Sequence, residues 1–172
     1  MDPAVLYALA ECKDDIPFRA VPNHIQSTWA RTFYSTPSLY IQPQSIAEVE
    51  KTINLARRCR RRITTVGCGH SPSDITCTSS WLVNLDNLNK ILSVDKETCV
   101  VVMQAGIRLF QVGAELDKVG LAMPNLGSIN HQSIAGAIST GTHGSTLHHG
   151  ILSESILSLK ITLANGKILG VH

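Results

Sequence analysis

The sequence predicts an α+β fold made of two small subdomains. One observation is a strand, helix, strand and glycine-rich loop in direct succession over residues 38–74. A second is a run of short alternating segments with one amphipathic helix from about residue 90, ending in a hairpin signal. The third is composition. The 172 residues are 44% hydrophobic and 16% charged, the profile of a globular chain able to bury roughly 70% of its unfolded surface.

The elements follow in order. Asp2 and Pro3 suit an N-cap and a first helical position, so a short amphipathic helix is expected over 2–13. Residues 14–37 hold Pro17, Pro22 and Pro37 and read as irregular. Residues 1–37 are therefore a helix and lead-in, and 38–172 the domain proper, though without the substrate or cap domain considered below. Ser38–Gln42 reads as a strand closed by Pro43. Ser45 and Glu48 form a capping-box pattern, and Ile46, Val49, Ile53 and Ala56 mark the expected buried face of a helix over 45–60. Arg62–Val66 is a short strand. The unit over about 38–85 is βαβ, with a right-handed crossover expected.

Residues 81–85, 90–95 and 98–104 read as strands, and 107–119 as a helix burying Leu109, Val112, Leu116 and Val119. Residues 123–150 are small and polar, with little periodicity. Over 155–163, Leu157, Leu159, Ile161 and Leu163 alternate. Asn165-Gly166 predicts a type I′ hairpin with a return strand at 167–171, after which the chain stops at His172.

Composition excludes several function classes. A net charge of +2 is too small to indicate nucleic acid. The arginine run over 57–62 lies at a helix C-terminus, where cations meet the dipole favourably. No apolar run approaches the ~20 residues of a membrane span, and the N-terminus lacks the pattern of a secretory signal. Five cysteines without CxxC spacing argue for reduced thiols in an intracellular protein. His143, His148 and His149 lack metal-site spacing and a neighbouring carboxylate before Glu154, so no metal is expected.

Two stretches carry the functional signal. Gly67-Cys68-Gly69-His70-Ser71-Pro72-Ser73-Asp74 directly follows a strand. Glycines permit close backbone approach, and successive N–H groups make a concave anion site suited to a pyrophosphate. Ser71 and Ser73 add hydroxyls. A nicotinamide-type Rossmann loop is excluded by context, because Pro72 stands where a glycine should open a helix and no helical pattern follows. An isolated GxG is an ordinary tight turn; the His-Ser-x-Ser-Asp extension points to a ligand cradle. In the second stretch, 127–145, small residues again allow a flat ligand to lie close to the backbone, while Ile129, Ile134 and Ile138 require a core.

Together these stretches resemble a known family. TTVGCGHSPSD resembles the pyrophosphate loop of the vanillyl-alcohol-oxidase, or PCMH-type, flavoproteins, and more closely that of the aldonolactone oxidases. WARTFYSTPSLYIQPQSIAEVEKTINLARR, from Trp29, resembles the family's opening, and GSINHQSIAGAISTGTHGS (127–145) its second flavin-binding stretch. The resemblance covers about residues 20–172.

It implies a PCMH-type domain whose two subdomains surround FAD. The implied cofactor contacts are Gly67, Cys68, Gly69, His70, Ser71, Pro72 and Ser73, with Ser128, Ser133, Gly136, Thr140, Gly141, Thr142 and His143 in the second stretch. It further implies that His70 is the covalent 8α-histidyl anchor, and that Gly127 lies at the flavin edge where glycine leaves oxygen a path. The implied activity is oxidation of a sugar lactone, an aldono-1,4-lactone, by O2 to the dehydro-lactone and hydrogen peroxide in ascorbate-type biosynthesis. Association with a mitochondrial membrane is implied as well. Family members continue beyond the final hairpin into the rest of the flavin domain and a cap domain. The expectation is thus an incomplete domain with no catalytic residue of its own, inactive alone. The alternatives are a truncated FAD-binding-like module without stable cofactor, and a related alditol or alcohol flavin oxidase.

Overall fold

The computed structural model describes residues 1–171; His172, read above as the end of the chain after the last strand, lies outside the described residues. Two compact units emerge. One comprises Met1–Asn87 and the C-terminal stretch from Ser158, the other Leu88–Leu157.

The first unit starts with α1 (Pro3–Ala10), capped by the Asp2 carboxylate accepting from the Ala4 N–H at 2.9 Å. The lead-in holds three two-residue strands, β1 (Ala20–Val21), β2 (Gln26–Ser27) and β3 (Tyr34–Ser35). They depart from the irregular reading of 14–37 because such short strands carry no alternation and exist only through distant pairing. Then come β4 (Leu39–Ile41), α2 (Ile46–Arg58), β5 (Ile63–Val66) and β6 (Trp81–Asn84). The sheet order is β1-β4-β6-β5; β6 runs parallel to both β4 and β5, and β1 is antiparallel to β4. The third strand in sequence is thus inserted between the first two of the expected βαβ unit.

Helix α2 corrects two expectations. The Ser45 hydroxyl accepts from the Glu48 N–H at 3.2 Å, but the Glu48 carboxylate does not return to Ser45. It accepts from the Gln44 N–H at 2.9 Å and from Arg19 Nε at 3.1 Å. Only half of the capping box forms, because the other half has a cationic partner from the lead-in. The buried face is Glu48, Lys51, Thr52, Leu55 and Ala56, and Ile46 is 55% exposed. The predicted stripe of Ile46, Val49, Ile53 and Ala56 is rotated because the buried charges are compensated. Lys51 Nζ donates to Asp14 and to the Ile16 carbonyl, both at 2.7 Å. Burying charge is tolerated when partners of this kind replace water.

Val5, Ala8, Leu39, Ile41, Leu55, Ala56, Trp81 and Val83 form the core of this unit, with Phe18 tilted against Trp81 at 5.7 Å. Each such large apolar side chain contributes about 1.5–3 kcal/mol by burial.

The second unit contains β7 (Ile91–Asp95) antiparallel to β8 (Val100–Met103), then α3 (Leu109–Asp117) and α4 (Ile134–Ser139). Leu109, Val112 and Leu116 are buried as expected, with Ile107, Ile134, Ala137 and Leu152, whereas Val119 lies beyond the end of α3 and is only half-buried. Helix α4 lies inside the stretch read as lacking periodicity. Six residues are too few for a helical repeat to show; Ile134 and Ala137 are buried, and Ile138 packs partly against them.

The final hairpin, β9 (Leu159–Thr162) and β10 (Ile168–Val171), groups with the first unit, not with the second as its place in the chain suggested. A Cβ built on Gly166 would lie 2.7 Å from Asn54 Oδ1 of α2. The turn is not type I′. That turn needs positive φ at both central residues, and only Gly166 has it, at 83°. Leu163 N donates to Lys167 O and Gly166 N to Leu163 O, both at 2.8 Å, closing a three-residue loop. Leu159, Ile161, Ile168, Leu169 and Val171 all remain exposed.

The Lys51 tie generates a pH prediction. Its hydrogen bond, followed by that of the Ile16 N–H, holds the Asp14 carboxyl below its ordinary pKa of 3.8. The contribution is complete above pH 3.8 and is lost as pH falls through the lowered value. Asp14→Asn is therefore expected to be less stable than the parent at neutral pH and to lose less on acidification. Urea unfolding midpoints across that range check this; parallel profiles would show that the tie contributes nothing.

Candidate cofactor site

The loop over 67–74 leaves the carboxyl end of β5, the edge of a parallel sheet at which α/β folds bind ligands. Its first residues are held from β6: Asn84 Nδ2 donates to Gly67 O at 3.3 Å, and Leu85 N to Val66 O at 3.0 Å. The chain then turns through Gly69 at φ 72°, a left-handed conformation that glycine adopts without strain. Gly69 is buried, with space for no more than ordinary contacts around it. A Cβ there would lie 3.5 Å from Ser27 O and 3.6 Å from Gln26 Nε2. A 3-10 turn at Asp74–Thr76 follows, and no side-chain bond from Ser73 caps it.

His70 is half-buried, with Nδ1 3.0 Å from Cys68 Sγ. Its imidazole stacks on Trp29, ring centroids 5.2 Å apart at 17°. Trp29 also donates its backbone N–H to Gly69 O at 2.7 Å. Ser71 is half-buried, and Pro72 and Ser73 are exposed. In the same unit His24 stacks on Tyr40 at 3.8 Å and lies 3.3 Å from Gln26 Oε1. Burial raises the Tyr40 phenol pKa, and the Asp86 carboxylate raises it further.

In the second unit, Gly127, Ser128, Ile129, Gln132, Gly141, Thr142 and His143 line a cleft of about 250 Å3. Gly127 has a steric role. A Cβ there would lie 2.8 Å from Thr142 Cγ2. Thr142 is braced by Leu152 N, which donates to its carbonyl at 2.8 Å. Ser133, 2% exposed, precedes α4, and its hydroxyl accepts from Arg108 Nη1 at 2.7 Å. Thr140 Oγ1 donates to Gly136 O at 2.9 Å, and His143 Nδ1 lies 2.9 Å from Gly144 O. Ser128, Gly127, Gly141, Thr142 and His143 thus share one cleft, whereas Ser133, Gly136 and Thr140 serve α4 and its end.

Sequence reasoning missed Trp29, Asn84, Arg108 and Gln132. The first three act through contacts far along the chain, which spacing does not encode. Gln132 was legible only as part of a small-residue run. Among the described residues no three His, Cys, Asp or Glu side chains group as a metal site.

A glycine turn at the carboxyl ends of parallel strands is a backbone arrangement that suits a diphosphate. The chain belongs to the family described as FAD binding domain, whose model matches residues 37–172. A Neurospora crassa protein provisionally named D-arabinono-1,4-lactone oxidase is 68% identical over 154 residues, 90% of this chain and 28% of its own length. D-arabinono-1,4-lactone oxidase of Yarrowia lipolytica is 51% identical over 150 residues, 85% of this chain and 28% of that protein. L-gulonolactone oxidase of Bos taurus is 43% identical over 141 residues, 82% of this chain and 32% of that protein. The chain therefore spans about a third or less of the length of these relatives.

Two solved structures share the fold. Physcomitrella patens BBE-like 1 has a TM-score of 0.80 at 22% identity, covering 97% of this chain and 37% of that one. Cholesterol oxidase from B. sterolicum has a TM-score of 0.77 at 20% identity, covering 93% and 34%.

The Thr142 contact predicts that Gly127→Ala overpacks the cleft and costs about 1–3 kcal/mol. Adding Thr142→Ser, which removes the opposing methyl, is expected to recover most of that loss. Denaturant unfolding of the single and double variants measures it. A double variant no more stable than Gly127→Ala would mean that Thr142 is not what Gly127 accommodates.

Proposed function

We propose that this chain forms the FAD-binding part of an aldono-1,4-lactone oxidase. The reaction is oxidation of D-arabinono-1,4-lactone by O2 to the dehydro-lactone and hydrogen peroxide, a step toward an ascorbate-type product. The carrying observation is the 51% identity to the Yarrowia lipolytica enzyme across 85% of this chain.

The residues present fit the cofactor. Backbone N–H groups around Gly67 and Gly69 would hold its diphosphate, aided by the hydroxyls of Ser71 and Ser73. Gly69 holds the left-handed turn of the loop without strain. Ser128, Thr142 and His143 would contribute polar groups from the second stretch, where Gly127 keeps the cleft open. FAD, when bound, supplies the two-electron oxidation and the reaction with dioxygen. The protein's part is to bind, orient and exclude water.

His70 is the proposed covalent anchor, through the 8α-methyl of the flavin. Neutral imidazole is a competent nucleophile near pH 7. Association of the complete enzyme with a mitochondrial membrane belongs to the same reading and rests on the family resemblance. No helix among the described residues is long and apolar enough to cross a membrane.

Two outcomes are expected. After loading with FAD and acid precipitation, the parent chain retains yellow colour, whereas His70→Ala releases its flavin; acid-stable flavin in the variant would remove His70 from that role. In the second experiment this chain replaces the matching part of the Yarrowia lipolytica enzyme. The chimera is expected to produce peroxide from D-arabinono-1,4-lactone, and residues 1–172 alone to produce none. A colourless, inactive chimera would refute the oxidase reading, and turnover by the chain alone would place the substrate site within it.

A further inference from the structure

We infer that Trp29 is a positioning residue for His70, holding the imidazole in the orientation that attachment to the flavin requires. The inference rests on the reading of His70 as the attachment point. Trp29 is 66% exposed, so its indole contributes little to a core. It is nevertheless tied to the loop twice. Its ring stacks on His70 at 5.2 Å and 17°, within the range of offset aromatic pairs, and its backbone N–H donates to Gly69 O at 2.7 Å.

The segment that carries it is tied by hydrogen bonds. Strands β2 and β3 pair, Thr28 N donates to Phe33 O at 3.1 Å, and Thr28, 1% exposed, receives the Phe33 N–H on its hydroxyl at 3.4 Å. Ser27 O and Gln26 Nε2 of the same hairpin lie next to Gly69, 3.5 and 3.6 Å from where a Cβ would stand. Rotation of a histidine ring about its last torsion is broad and roughly two-fold when nothing restrains it. Here one face rests on Trp29 and one edge on Cys68, with Sγ 3.0 Å from Nδ1. A face and an edge together define the ring plane.

Orientation matters for the bond in question. A ring nitrogen of His70 gains a bond to the 8α carbon, while one C–H bond there and the imidazole N–H are lost. The two electrons and two protons released reduce the isoalloxazine of the same cofactor, which dioxygen reoxidises with formation of hydrogen peroxide. A nucleophile displaced from its line of attack loses much of its rate.

The test uses the 172-residue chain with Trp29→Ala, Trp29→Phe and His70→Ala. In the FAD-free protein, the His70 proton resonances, identified by their loss in His70→Ala, are expected to carry a ring-current displacement. That displacement should vanish in Trp29→Ala and persist in Trp29→Phe. On incubation with FAD, Trp29→Ala is expected to acquire acid-stable flavin about tenfold more slowly than the parent, and Trp29→Phe within about twofold of it. Reversible FAD affinity should stay unchanged. Attachment at the parental rate in Trp29→Ala, or His70 resonances indifferent to Trp29, would overturn the inference. Acid-stable flavin in His70→Ala, or none in the parent, would instead refute the attachment reading, and the resonances would still report whether Trp29 holds His70.

Discussion

Strand β6 is buried along its whole length and runs parallel to a partner on each side. Both faces of such a strand need cover, and here Trp81 and Val83 reach the core that α1 and α2 close. Its position between β4 and β5 brings all three carboxyl ends to one edge of the sheet. The loop over 67–74 leaves from that edge, and Asn84, the last residue of β6, binds it through the Gly67 carbonyl. The same Asn84 accepts the Asp86 N–H at 2.8 Å, so one amide organises both exits. The loop is therefore an extension of the core.

The lead-in is the second support, in two separate ways. Residues 14–19 meet the charges of α2, through Asp14 and Ile16 on Lys51 and Arg19 on Glu48. These pairs allow a helix face bearing Glu and Lys to turn inward. Residues 26–35 form a small hairpin that lies beside Gly69 and carries Trp29 to His70. A proline-punctuated segment thus supplies both the counter-charges of the core and the backing of the loop.

The small residues of 127–145 divide into two kinds of work. Ser133 is buried and engaged with Arg108, and Gly136 and Thr140 bond to each other within and just beyond α4. Gly127, Ser128 and Thr142 border open space. A single composition therefore covers both helix packing and the lining of a cleft. The exposed apolar faces of β9 and β10 contrast with this economy, since hydrophobic alternation there meets solvent.

Much of this was legible in the residues themselves. Asp2-Pro3, Ser45 with its hydroxyl cap, the strands around 39–41, 63–66 and 81–84, and Leu109, Val112 and Leu116 are local signals, each set by backbone geometry within a few residues. The loop at 67–74 was legible for the same reason: Gly69 at positive φ and the absence of a following α-helix are properties of that short sequence. What only the tertiary structure decided depends on partners remote in the chain. The order β4-β6-β5, the rotation of α2 toward Glu48 and Lys51, the grouping of the final hairpin with the first unit and the stacking of Trp29 on His70 all belong here. A charged side chain turns inward only when its counter-ion is present, and a short strand exists only when its neighbour pairs with it. Pattern along the chain records what each residue prefers, and the fold determines which preferences can be met together.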